Sequence, residues 1–144
     1  EISLGLVGSE MCIRDRFKSM IRDLSLDYPD FLIASSEWFA FIPAKEYFDE
    51  PGDHADELET SVMMHYHPEL VNLDEAGDGN YKKFASQMLN EKVAWIPRNW
   101  QNVSQDTGIG NPKKASAGKG KKYAEAVVAK YALLFEELVH KELY

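Results

Sequence analysis

Near the end of the chain Tyr123, Val127, Tyr131, Leu134 and Leu138 recur at helical spacing, flanked by Ala124, Val128, Phe135 and Val139. The pattern marks a helix whose apolar stripe is too wide to face water. Such a stripe needs a cover, and short apolar runs elsewhere suggest a sheet. Phe17, Met20, Ile21 and Leu24 read as an earlier helix that Tyr28-Pro29-Asp30 stops. Phe31-Leu32-Ile33-Ala34 then reads as a buried strand, and Val93-Ala94-Trp95-Ile96 as a second one. A helix followed by a buried strand is half of a βαβ unit, so the expected class is α/β. Residues 72–90 are polar and carry Gly77 and Gly79, which predicts a loop with one short helix.

The first residues need separate treatment. Glu10-Met11-Cys12-Ile13-Arg14-Asp15-Arg16 resembles the conceptual translation of a transposase-end adapter used in DNA library preparation. Residues 1–16 are therefore read as a non-native scar, and 17–144 as one domain-like unit with no internal repeat. The only cysteine, Cys12, lies in the scar. Any metal would then be held by histidine and carboxylate rather than thiolate. A net charge of −8 argues against nucleic acid and anionic membrane as partners. No apolar run is long enough to cross a bilayer, and the expectation is a soluble, cytoplasmic protein.

Gly52-Asp53-His54-Ala55-Asp56-Glu57-Leu58-Glu59-Thr60-Ser61 is the segment richest in chemistry. It reads as the start of a helix running from about Ala55 to Tyr66, with Asp53 as N-cap, Asp56 as its capping-box partner and Glu57 beside the helix dipole. At about 100° per residue Glu59 falls inside the apolar stripe of Leu58, Val62 and Tyr66, while Glu57 falls on the far side. A carboxylate on a buried face needs a cation or hydrogen-bond donors, so Glu59 is a candidate for a metal site or a buried network. His54 precedes the helix after a Pro-Gly turn and can project into a cleft. His65 and His67 diverge on the helix and read as surface or capping residues. His140 reads as a favourable charge at a helix C-terminus.

The run from His54 to Ser61 closely resembles the His-Ala-Gly-Glu-Leu-Glu-Thr-Ser signature of the creatininase (creatinine amidohydrolase) family. Thr107-Gly108-Ile109-Gly110-Asn111-Pro112, with Ala115, Ala117 and Lys119-Gly120, is similar to the family's second signature. The resemblance implies a three-layer sandwich, helices on both sides of a central sheet, of which this chain is the C-terminal half. It also implies a small-molecule amide substrate, a homo-oligomer, and one or two divalent metal ions (Zn, Mn or Fe) that activate water for attack on a non-peptide amide. By position, His54 would move protons, Trp38 and Asp53 would bind substrate, and Glu59 would be a retained metal ligand. The other ligands would precede Phe17, leaving this piece inactive by itself. The alternative is a creatininase-like scaffold or binding subunit without catalysis.

Three departures from the family pattern matter. Glu50 and Asp53 stand where creatinine-hydrolysing members carry a second tryptophan and a glutamate, which speaks against creatinine itself. Ala117-Gly118-Lys119-Gly120 has a superficial phosphate-loop look, but no Ser or Thr follows Lys119 and the first glycine is misplaced. Gly118, in place of a glutamate, weakens the helix start there.

Overall fold

The computed structural model describes residues 16–40 and 42–140, so the segment read as a scar lies outside it except for Arg16. The chain divides between Trp38 and Phe39 into two compact units. In the first, a helix over residues 16–27 (α1) is closed by the Tyr28 amide on the Leu24 carbonyl at 2.8 Å. Pro29 then turns the chain, and the Tyr28 and Phe31 rings meet edge to face at 6.4 Å.

In the second unit the helices are Glu57–Tyr66 (α2), Gln87–Asn90 (α3), Trp100–Val103 (α4) and Ala117–His140 (α5), joined by loops and short 3-10 turns. Among the described residues no strand forms. The β pairing described is limited to two isolated antiparallel bridges, His54 with Ile109 and Tyr81 with Ser104. The two runs read as strands are irregular, with Phe31 and Val93 exposed by 69% and 70%. A strand exists only through a ladder with a neighbour, and neither run finds one here. Both runs were expected to be buried strands, and here they are neither paired nor buried, because pairing is a property of the partner. Among the described residues no helix is long and apolar enough to cross a membrane.

Instead of covering a sheet, the first half of α5 packs on α2. Tyr123 is completely buried, with its hydroxyl donating to the carbonyls of Phe39 at 3.2 Å and Ile42 at 3.4 Å. Its ring stands edge-on to Tyr47 and Phe48, both at 5.3 Å. Burial is the main force raising the Tyr123 hydroxyl above its ordinary pKa, with Tyr47 and Asp56 adding to it. Leu58, Phe48, Ile109 and Val127 complete this core, whereas Leu133, Leu134, Phe135 and Val139 further along α5 are exposed.

The approach of α2 to α5 depends on Gly120, where an added Cβ would lie 1.9 Å from the Ser61 carbonyl oxygen. The buried Ser61 hydroxyl accepts the Ser116 amide at 3.0 Å, just before α5 begins. Gly118, also in the first turn of α5, has nothing within 4 Å of its would-be Cβ. Two neighbouring glycines should therefore respond oppositely to alanine. Gly120→Ala forces the helices apart and should cost about 2–3 kcal/mol. Gly118→Ala only removes backbone freedom and should stabilise by about 0.5–1 kcal/mol. Urea unfolding of the two variants measures both, and equal signs would refute this packing.

Candidate functional site

The first signature begins as a helix cap, one turn later than the pattern suggests. Asp56, not Asp53, is the N-cap of α2, and its Oδ1 accepts the Glu59 amide at 2.9 Å. Its Oδ2 accepts the Gly52 amide at 2.5 Å. Glu59 reaches back in turn, its Oε2 accepting the Ala55 amide at 2.6 Å. This is a capping box shifted by one residue, and it gives Glu59 the hydrogen-bond donors that the helical stripe left unassigned. Ala55, at φ 48°, takes the left-handed conformation that swings the chain into the helix.

The buried face of α2 is Glu57, Leu58 and Ser61, not the expected stripe of Leu58, Val62 and Tyr66, of which Tyr66 is exposed. Glu57 is fully buried, although the stripe placed it on the far side. Its Oε1 accepts from Lys119 Nζ at 2.5 Å and its Oε2 from the Glu50 amide at 2.6 Å. Lys119 Nζ also donates to Asp49 Oδ2 at 2.7 Å and to the Lys114 carbonyl at 3.2 Å. Beside it, Glu50 pairs with Lys114 at 2.5 Å and accepts from Asn111 Nδ2 at 3.0 Å. The hydrogen bond from Lys119 is the chief cause lowering the Asp49 pKa, and that from Lys114 the chief cause lowering Glu50. The same bonds raise both lysines, Lys119 first through Asp49 and then through Glu57. With its ammonium held this way, Lys119 serves as a clasp between α2 and α5, which argues against a phosphate-loop role.

The second signature runs back against the first. Ile109 accepts the amides of Asp53 at 2.7 Å and His54 at 3.1 Å, and donates to the His54 carbonyl at 2.8 Å. Gly110, at φ 127°, passes so close that a Cβ there would meet Asp56 Cβ at 2.7 Å and Gly52 Cα at 2.8 Å. Only glycine fits that crossing. The backbone of His54 is thereby fixed from both sides.

Around its imidazole, Nδ1 lies 3.7 Å from Glu59 Oε2, and the Trp100 ring stands edge to face at 5.2 Å. Asp53 forms an ion pair with Arg98, whose guanidinium lies 5.8 Å from the centre of the Trp100 ring. A cleft of about 460 Å³ opens beside this cluster, bordered by Ala55, Glu59, Thr60, Met63, Asp106 and Pro112.

The structure thus brings together Asp53, His54 and Glu59. Trp38 is the last residue of the other unit and is half-buried there. Tyr47 and Phe48 belong to the Tyr123 core. Arg98 and Trp100 join the cluster without belonging to either signature; the Arg98-Asn99-Trp100 run carries no periodic signal that would single them out. His67 caps the end of α2 and contacts Glu69 at 3.2 Å, and His65 lies against Tyr66 at 4.6 Å, as surface and capping residues do. Among the described residues no three His, Cys, Asp or Glu side chains converge to hold a metal ion. Glu59 as it stands serves the Ala55 amide and faces the His54 ring, an arrangement that does not fit a metal set.

Comparison with known proteins decides the family. The profile described as Creatininase, creatinine amidohydrolase, matches residues 13–135. The chain belongs to the creatininase family. A solved structure from Bacteroides fragilis, named "Putative creatinine amidohydrolase", is 50% identical to this creatininase-family chain with a TM-score of 0.84. The alignment covers 99% of this chain and 62% of that one, so the two share a fold over the part present here. No curated protein matches the chain. Both motif segments lie within the matched residues, and the crossing of His54 with Ile109 is where they meet.

Proposed function

We propose that the protein to which this chain belongs hydrolyses a small linear or cyclic amide, breaking a non-peptide C–N bond, with His54 as its proton carrier. The observation that carries this reading is the fixing of His54 between the two family signatures, with its Nδ1 facing Glu59. Amide cleavage stalls unless the departing nitrogen gains a proton, and an imidazole changes charge near neutral pH, where it can both take and give one. Glu59 presents a carboxylate oxygen toward that ring. Trp38 and Asp53 stand as substrate-side residues, Asp53 through the carboxylate it shares with Arg98.

A divalent ion, zinc, manganese or iron, supplies water activation in such chemistry. The described residues of this chain do not form its coordination set, so its ligands belong to the rest of a sandwich with a central sheet. The working form is a cytoplasmic homo-oligomer. The test is an assay of the whole protein against small cyclic and linear amides, before and after chelation. Turnover of at least one amide, abolished by chelator and restored by Zn²⁺ or Mn²⁺, supports the hydrolase. A metal-loaded protein that turns over none of them is instead a creatininase-like scaffold or binding subunit.

A further inference from the structure

We infer that Arg98 and Trp100 are positioning residues for His54, an inference that rests on the proton-carrier reading above. Two backbone hydrogen bonds between His54 and Ile109, with a third from the Asp53 amide, fix the His54 main chain, leaving the ring only its own side-chain torsions. Glu59 Oε2 faces Nδ1 at 3.7 Å, but at that distance attraction sets a direction more than an orientation. The Trp100 ring, inclined at 60° with centroids 5.2 Å apart, restricts rotation from another side.

Trp100 is held in its turn. It opens α4, and the Arg98 guanidinium lies over its ring at 5.8 Å while pairing with Asp53, the residue directly before His54. The contacts close into a circuit: Asp53 to Arg98, Arg98 to Trp100, Trp100 to His54, and His54 back to Asp53 through the peptide bond. Arginine suits this place because a planar guanidinium can meet a carboxylate along its edge and an indole on its face at once, which a lysine ammonium cannot. With Nδ1 turned toward a carboxylate, the neutral ring carries its proton on Nδ1. Nε2 is then the nitrogen that accepts and delivers the proton in the reaction.

The nitrogen signals of the His54 ring in the ¹⁵N-histidine-labelled chain, recorded above the pH at which the ring titrates, report this directly. The wild-type ring should be mainly Nδ1-protonated. Trp100→Leu and Arg98→Lys should each move the tautomer ratio about threefold toward Nε2-protonated, the equivalent of one exposed cation–π contact. Arg98→Lys retains a cation for Asp53, so it reads positioning even if Trp100→Leu does not fold. A wild-type ring without Nδ1 preference, or an Arg98→Lys ring identical to wild type, overturns the inference. The readout involves no turnover, so its failure is distinct from a failure to hydrolyse amides.

Discussion

Replacing His54 with alanine in the whole protein lowers kcat by about two to four orders of magnitude and leaves metal content at the wild-type level. The first half of that expectation follows from proton transfer, the second from the ring's surroundings. His54 faces a carboxylate, an indole and its own main-chain bridge, and no second histidine shares its position. Its backbone hydrogen bonds to Ile109 do not involve the side chain, so alanine should preserve the crossing of the two signatures. Steady-state kinetics with metal analysis on the same preparation checks both halves. Loss of metal in step with kcat would make His54 a ligand instead.

The second large effect is on stability. Glu57→Ala should destabilise the fold by about 3 kcal/mol, roughly 10 °C in Tm. Glu57 is fully buried and serves two groups at once, the Lys119 ammonium and the Glu50 amide. Alanine leaves that amide without its acceptor and opens a void between α2 and α5. Glu57→Gln keeps the volume and one acceptor, so it should lose less. Lys119→Met should act in the same direction as Glu57→Ala by leaving the carboxylate buried without its cation. Two-state urea melts of the three variants give the order. A Glu57→Ala protein as stable as wild type would show that this clasp is ornamental to the fold.

Much of this was legible in the residues, but unevenly. The α5 stripe from Tyr123 to Leu138 was readable as a helix because its period is long and regular, and the observed helix contains it, although only its first half, Tyr123, Ala124 and Val127, is buried. The place of His54 was readable from two ordered motifs. The Asp56 cap was misassigned to Asp53 because the segment offers two aspartates three apart, and only the hydrogen bond to the Glu59 amide distinguishes them. The roles of Glu57 and Glu59 came out reversed because α2 docks by Glu57, Leu58 and Ser61 and not by Leu58, Val62 and Tyr66, which makes Glu57 the buried ion and leaves Glu59 half-exposed in the cap. The cation of Glu57 was invisible as well, because Lys119 lies 62 positions away and meets Glu57 only once α5 docks. Arg98 and Trp100 were hidden for the same reason, since a contact across the fold leaves no periodic trace.

The most direct test of His54 as proton carrier is the dependence of kcat on the leaving nitrogen. A series of amides of one acyl group, with amines ranging from strongly to weakly basic, is measured on the wild-type protein and on His54→Ala. A general acid matters most when the departing nitrogen is basic and cannot leave without a proton. His54→Ala should lose about two orders of magnitude or more on the most basic amines and little on the least basic, which steepens the dependence. An equal loss across the whole series would mean that His54 contributes to binding or structure and carries no proton to the leaving group.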